Sequence, residues 1–448
     1  MSQKRVVIIG NGIAGITAAR HIRKLADYEI TVISAESEYF FARTALMYVF
    51  MGHMRFEDTQ PYEPYFWKKN RIQLIHDYVE QIDFIDHTLQ LQKGEKLGYD
   101  KLILAVGSKP RTLNWPGSDL KGVQGLYTKQ DLDLLTEQVN DITDYAVVVG
   151  GGLIGIELVE MLIARNKRVK LLVRENHFWG NVLPENDAEF VEKHLAKHTH
   201  LTILKNTELT AIQGGENGRV SSVQTNTGQT ITCDFVGLTI GVTPNVEFLK
   251  GTSLALDRGI LVNEFLETNM ADVYAIGDCA QFSQSLGDRG EIEQVWYTGR
   301  MMGETVAQSV CGNRMSYSPG IWYNSAKFFD LEYQTYGRVW NKLGADEAEF
   351  SWTDPKRERR LHFVFDKTHH QLLGVNTFGI RLRHEVLNHW IAKHSTIEDI
   401  LVQFQLANFD PEFYKAVEKD VLLAFNSQFG TNLKATQKKW WQSIYQST

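Results

Sequence analysis

The chain has 448 residues, of which 43% are hydrophobic and 23% charged, with a formal net charge of −7. That length supports two or three domains with substantial cores, and the acidic balance argues against general nucleic-acid or anionic-membrane binding. No apolar run reaches membrane-spanning length, and three cysteines without a CxxC or Cys/His cluster argue against a disulfide framework or structural metal and fit a reducing cytoplasm.

An apolar run at Val6 to Ile9 opens the chain. It is too short for a signal sequence and is broken by Asn11 and Gly12. It leads into Gly10-Asn11-Gly12-Ile13-Ala14-Gly15, and a helix is expected over Ile13–Leu25. The next strand, Glu29–Ser34, ends near Glu36, 26 residues beyond Gly10. A carboxylate at that place can accept hydrogen bonds from an adenosine ribose. Alternating runs follow at residues 72–85, 88–92 and 99–105, and Gly107, Pro110, Pro116 and Gly117 mark a crossover. Residues 126–138 read as a helix.

A second apolar run at residues 146–149 enters Gly150-Gly151-Gly152-Leu153-Ile154-Gly155 and another helix. Short strands are expected at Leu201–Leu204, Val220–Thr225, Thr230–Thr232 and 234–240. Residues 273–278 read as a buried strand ending in an acidic turn, and 294–311 as a helix. From about residue 319 the texture changes to aromatic strands, then helices at 383–393 and 396–404. Residues 434–445 close the chain with Trp440 and Trp441. The adjacent His369 and His370 read as loop, because neighbouring side chains on a strand diverge.

Each glycine of the GxGxxG pattern has its own job. Gly10 and Gly150 make the tight turn, Gly12 and Gly152 let a pyrophosphate lie against the backbone, and Gly15 and Gly155 let the helix pack close to the sheet. The helix N-terminus, with free N–H groups and a positive dipole end, then faces the phosphates. Two such units on one chain suggest electron transfer between two cofactors.

These motifs, in this order, resemble the two-dinucleotide-fold flavoprotein reductases: FAD enzymes related to ferredoxin and rubredoxin reductases, the nitrite reductase large subunit and NADH oxidases. The resemblance implies an α/β chain with two Rossmann-like domains of the glutathione-reductase kind and a C-terminal α+β interface domain. It assigns residues 1–115 and 245–318 to an FAD-binding domain, 116–244 to an NAD(P)H-binding domain and 319–448 to the interface domain. It places FAD against Gly10, Gly12, Ile13, Ala14, Gly15, Glu36, Arg43, Val79, Ala105, Gly107, Gly277, Asp278 and Trp296. Among these, Arg43 lies in the loop beneath the flavin, Asp278 holds the ribityl chain, and Trp296 starts a helix at the flavin pyrimidine end. NADH or NADPH is assigned to Gly150, Gly152, Leu153, Ile154, Gly155, Glu157, Arg174 and Gly241. Glu157 is the candidate beside the nicotinamide, with a structural helix carboxylate as the alternative. Val173 stands where NAD-selective relatives carry an acid, and Arg174 beside it allows NADPH.

Thr44 falls where coenzyme A disulfide reductases and NADH peroxidases place a reactive cysteine. A threonine forms neither thiolate nor sulfenate, so cysteine-based reduction loses its nucleophile. Cys279 reads as packing. The expected activity is therefore hydride transfer from nicotinamide to flavin, then electron transfer to an external acceptor. That acceptor is a small ferredoxin- or rubredoxin-like carrier or a small molecule. The basic cluster at residues 356–360 reads as a solvated hairpin, with docking of an acidic carrier as the alternative. A flavin-bound redox sensor or assembly factor, supported by the Trp440-Trp441 tail, is the rival reading, and NADH oxidase a third. A homodimer is allowed by the resemblance.

Overall fold

The computed structural model describes residues 3–287, 289–410, 412–413 and 416–436. The tail motif at Lys438, Lys439, Trp440 and Trp441 lies outside the described residues. The chain forms two compact units, Met1–Arg174 with Thr199–Pro319, and Glu175–His198 with Gly320–Thr448.

The first unit carries two parallel sheets of five strands each. One runs in the order Val273–Ala275, Lys101–Leu104, Arg5–Ile9, Glu29–Ser34, Ile72–His76; the other runs Leu201–Leu204, Arg168–Leu172, Tyr145–Val149, Phe235–Leu238, Val123–Gln124. Strands covered on both faces must be apolar throughout. Val6, Val7, Ile8 and Ile9, and likewise Ala146, Val147, Val148 and Val149, are all buried. Each central strand is followed by a glycine turn and a helix, Ile13–Leu25 in the first sheet and Leu153–Ala164 in the second. Two short strands, Ser108–Pro110 and Val242–Pro244, pair antiparallel at the two crossovers. Three-stranded antiparallel sheets at Val79–Asp83, Thr88–Leu91 and Lys96–Gly98, and at Leu209–Gly214, Val220–Thr225 and Thr230–Thr232, and a parallel pair, Ile260–Val262 with Ala280–Phe282, complete the unit.

The helix Trp296–Val310 lies against Ile13–Leu25, and small residues set the approach. A Cβ on Gly303 would come within 2.5 Å of the Ala14 carbonyl oxygen and 2.9 Å of Thr17 Cβ.

The second unit is an antiparallel sheet ordered Tyr323–Phe328, Leu331–Gly337, Leu372–Phe378, Arg360–Asp366, Glu347–Thr353. One face carries Leu361, Phe363, Phe365 and Val375, which share a core with helices His384–Ala392, Ile397–Val402 and Glu418–Phe429. The other face presents Arg360, His362, Asn376 and Phe378. Against it lies a helix, Glu185–Leu195, that the sequence pattern does not single out. The reason is a buried acid in its first turn. Asp187 is fully buried; it accepts from Arg360 Nε at 2.6 Å and Asn376 Nδ2 at 3.0 Å, and sits 2.9 Å from His362 Nδ1. Arg360 therefore leaves the basic cluster at 356–360 to become a buried partner of an acid, which corrects the reading of a wholly solvated hairpin. Among the described residues, no helix is long and apolar enough to cross a membrane.

Two outcomes follow from this packing. Replacing glycine by alanine inside a helix ordinarily stabilises by about 1 kcal/mol. At Gly303 the backbone contact reverses the sign, so Gly303→Ala should destabilise by roughly 1–3 kcal/mol in urea unfolding. A more stable variant would refute this packing. The second outcome concerns pH. Burial opposes the charge on His362, but Asp187 and Glu349 overcome it and raise its pKa from 6.5 to about 9. A raised histidine gives its full stabilisation below pH 6.5 and loses it as pH rises through about 9. The loss should be on the order of 3 kcal/mol. Unfolding curves of the native chain and His362→Gln should therefore converge across this window, and parallel curves would contradict the pairing.

Candidate functional site

Both glycine turns force close backbone approaches. Gly10 has φ +111°, and a Cβ there would lie 2.0 Å from the Ala105 carbonyl oxygen. Gly150 has φ +118°, and its Cβ would lie 2.5 Å from the Thr239 oxygen. Both values lie in the region that only glycine adopts at little cost. A Cβ on Gly15 would meet the Gly10 oxygen at 2.0 Å, and one on Gly155 would meet the Gly150 oxygen at 2.1 Å. Gly12 and Gly152 differ. Nothing lies within 4 Å of a Cβ at either, and both backbones are extended. Here the missing side chain leaves open space. Each residue caps a helix that has no side-chain cap and no acid in its first turn. The first N–H groups of such helices need a partner from elsewhere.

A cleft of about 660 Å³ opens in front of the first turn. It is lined by Gly10, Gly12, Ile13 and Ala14, by Glu36, Arg43 and Val79, by Ala105 and Gly107, and by Gly277, Asp278 and Trp296. Leu153, Ile154 and Glu157, from the helix that follows the second turn, line the same cleft. The volume is within the range of ligand clefts. Gly15 is behind the wall, packed on Gly10. Gly150, Gly152, Gly155, Arg174 and Gly241 are not part of the lining. Arg174 is exposed beyond the Arg168–Leu172 strand, beside fully buried Val173.

Glu36 and Arg43 form one unit. Arg43 donates from Nη1 to Glu36 Oε1 at 2.8 Å and from Nη2 to Oε2 at 2.5 Å, and also to the Tyr127 carbonyl at 2.6 Å. The Lys129 amide donates to Glu36 Oε1 at 3.0 Å. The guanidinium lies 4.5 Å from the centre of the Tyr127 ring. The bidentate pairing orients both groups at the cleft wall.

Asp278 forms the second polar group. Its Oδ2 accepts from Ser108 Oγ at 3.2 Å, and Ser108 in turn accepts from Gln294 Nε2 at 2.7 Å. Burial raises the Asp278 pKa above its ordinary value. The Tyr127 phenol is pushed up to about 12, chiefly by burial and then by the negative charge of Asp278. It therefore stays protonated at neutral pH and can donate. Tyr127 and Gln294 carry no motif in the sequence; Gln294 and Ser108 are 186 positions apart. The helix Trp296–Val310 begins at this wall without a side-chain cap, and its Trp296 and Gly299 line the cleft.

Thr44 also lines the cleft, whereas none of the three cysteines does. Cys233 and Cys279 are buried, and burial pushes both thiols up to about 12. Neither forms a thiolate at neutral pH. Cys311 is half-buried.

The family model described as pyridine nucleotide-disulphide oxidoreductase matches residues 4–303. The chain is 28% identical over 382 residues to an assimilatory nitrate reductase electron transfer subunit of Bacillus subtilis (strain 168), covering 85% of this chain and 48% of that one. It thus spans about half the length of that relative. It is 31% identical over 338 residues to the ferredoxin reductase subunit of a 5,5'-dehydrodivanillate O-demethylase of Sphingobium sp. (strain NBRC 103272 / SYK-6), covering 74% of this chain and 81% of that one. The fold matches a solved NAD-dependent persulfide reductase from A. fulgidus with TM-score 0.83 at 23% identity, over 95% of this chain and 84% of that one. With two parallel sheets that each open a bare helix through GxGxxG, and a family match across both, the chain belongs to the pyridine nucleotide-disulphide oxidoreductase family and is an oxidoreductase.

Proposed function

We propose that this protein is an FAD-dependent NAD(P)H oxidoreductase that passes electrons to an external acceptor, a small ferredoxin- or rubredoxin-like carrier or a small molecule. The observation that carries the reading is the shared cleft. Residues of the FAD-type turn and residues after the second turn line one space.

The residues fit FAD. Gly12 leaves open room against an uncapped helix start, the place for a pyrophosphate. Glu36 presents a carboxylate at the ribose position, held in place by Arg43. Asp278 and its Ser108 and Gln294 partners offer a buried acceptor for a polyol chain. When bound, FAD supplies a ring system able to take up a hydride and release electrons. The positive end of Trp296–Val310 faces that part of the cleft and stabilises negative charge there. Tyr127, kept neutral, donates a hydrogen bond rather than adding charge. Glu157, Leu153 and Ile154 form the wall at which a nicotinamide would be held, and Gly152 its pyrophosphate turn. Arg174, with buried Val173 in place of an acid, supports acceptance of NADPH as well as NADH.

Thr44 in the lining and the absence of any cysteine from it favour direct transfer to an outside acceptor over a disulfide or sulfenate relay. Three unpaired cysteines fit a reducing compartment, the cytoplasm in this proposal.

Anaerobic NADPH or NADH should bleach the yellow FAD-loaded protein, and reoxidation should accelerate when a one-electron carrier is added. A protein that bleaches with neither nucleotide would end the proposal. Because Gly12 and Gly152 have room and ordinary backbone angles, Gly12→Val and Gly152→Val should fold normally. Gly12→Val should lose FAD affinity by roughly 10- to 100-fold, about 1–3 kcal/mol of crowding. Gly152→Val should retain FAD and lose nucleotide affinity by a similar factor. Equal effects on both ligands, or unfolding of either variant, would contradict separate cofactor turns.

A further inference from the structure

A second cluster lies wholly within the second unit, apart from the cleft residues. The helix Glu185–Leu195 carries His194 near its end, and His198 follows four positions later. His198 lies past the helix end, and the turn there sets the two rings edge to face with centroids 5.8 Å apart. Opposite them is the two-residue turn Phe329-Asp330, which joins strands Tyr323–Phe328 and Leu331–Gly337. Phe329 adopts φ +57° there and stacks on the His198 ring at 3.7 Å between centroids.

The His194 side chain is 4% exposed, and its Nδ1 lies 3.1 Å from Glu358 Oε2. The other oxygen of Glu358 pairs with Lys197 Nζ. An ionised carboxylate only accepts, so Nδ1 carries a proton toward Glu358, and Nε2 is the ring atom left to face Asp330. That Nε2 is buried and makes no hydrogen bond. It nevertheless stands 3.1 Å from Asp330 Oδ1. A buried ring nitrogen this near a carboxylate oxygen, without a hydrogen bond between them, is a pair of donor atoms that a cation can share. One ligand atom from each of His194, His198 and Asp330 falls within 4.8 Å of the others.

We propose that His194, His198 and Asp330 bind a divalent transition-metal ion, of which Zn²⁺ suits the donor set best. Bonds of about 2.0–2.2 Å in a tetrahedron separate ligand atoms by roughly 3.3–3.6 Å. The observed 3.1 Å therefore needs only a small opening. Glu358 stands behind His194 as the carboxylate partner of a ligating histidine, which fixes the ring and its tautomer. Asp330 is 87% exposed, so the ion can enter from solvent, and water can take the fourth position. The ion would tie the Phe329-Asp330 turn to the end of the Glu185–Leu195 helix. The sequence pattern names no such site, because Asp330 is 132 positions beyond His198 and its turn has no metal signature.

The test uses tag-free, full-length flavoprotein stripped with chelator and titrated with Co²⁺. One equivalent should produce the visible ligand-field bands of a tetrahedral site, and Zn²⁺ should displace them. Asp330→Asn, on an exposed turn, and His198→Gln should each weaken Co²⁺ binding more than roughly 10-fold, the lower end of what losing even an outer partner costs. Flavin content and far-ultraviolet dichroism should stay unchanged. No bands in the native protein would overturn the proposal. So would a titration unaffected by both substitutions, which would place the ion elsewhere, for example at His177, Glu185 and Glu189.

Discussion

A helix that starts without a cap leaves donors that must be satisfied from outside it. In this protein three helices begin that way at functional walls: Ile13–Leu25, Leu153–Ala164 and Trp296–Val310. Each also points the positive end of its dipole outward, which favours anions. The rest of the first unit keeps those ends bare and in place. Glycine at positions 10 and 150 lets each strand end pass against the neighbouring carbonyl, and glycine at 15 and 155 lets the helix close on the turn. The short approach makes any other residue costly at all four positions, and the positive φ adds to that cost at 10 and 150.

Around those bare ends the polar groups are arranged in pairs rather than singly. Glu36 is not a lone acceptor; Arg43 and the Lys129 amide already engage it. Asp278 is likewise tied to Ser108 and through it to Gln294. Prior pairing orients the acceptors and lowers the entropy lost when a ligand docks. The same logic recurs in the second unit, where Asp187 is buried only because Arg360, His362 and Asn376 satisfy it. Removing one partner there would strand a buried charge.

Much of this was legible in the sequence where local pattern and function coincide. The glycine turns, the strand Glu29–Ser34 and the helix Ile13–Leu25 follow directly from apolar runs and breakers. Thr44 at the cleft is likewise readable as a missing thiol. What was not legible depends on distant pairing. Tyr127 carries no motif, and its role exists only because the fold brings it beside Arg43 and Asp278. Glu185–Leu195 escapes the periodicity reading because its buried positions include an aspartate and a histidine, whose partners, Arg360 at a strand start and Glu358 in the bend before it, lie more than 160 positions away. Arg360 reads as part of a solvated basic run for the same reason. Its partner is absent from its own neighbourhood in the chain.

The central claim is that one cleft holds a flavin and a nicotinamide ring against ring. The most direct measurement is the long-wavelength charge-transfer absorption that such stacking produces. FAD-loaded protein reduced chemically under argon and then titrated with NADP⁺ or NAD⁺ should develop this band in saturable fashion. The band should require far more nucleotide when Gly152 is replaced by valine. Reduced protein that shows no such band with either nucleotide, at concentrations where binding is measured independently, would contradict the account.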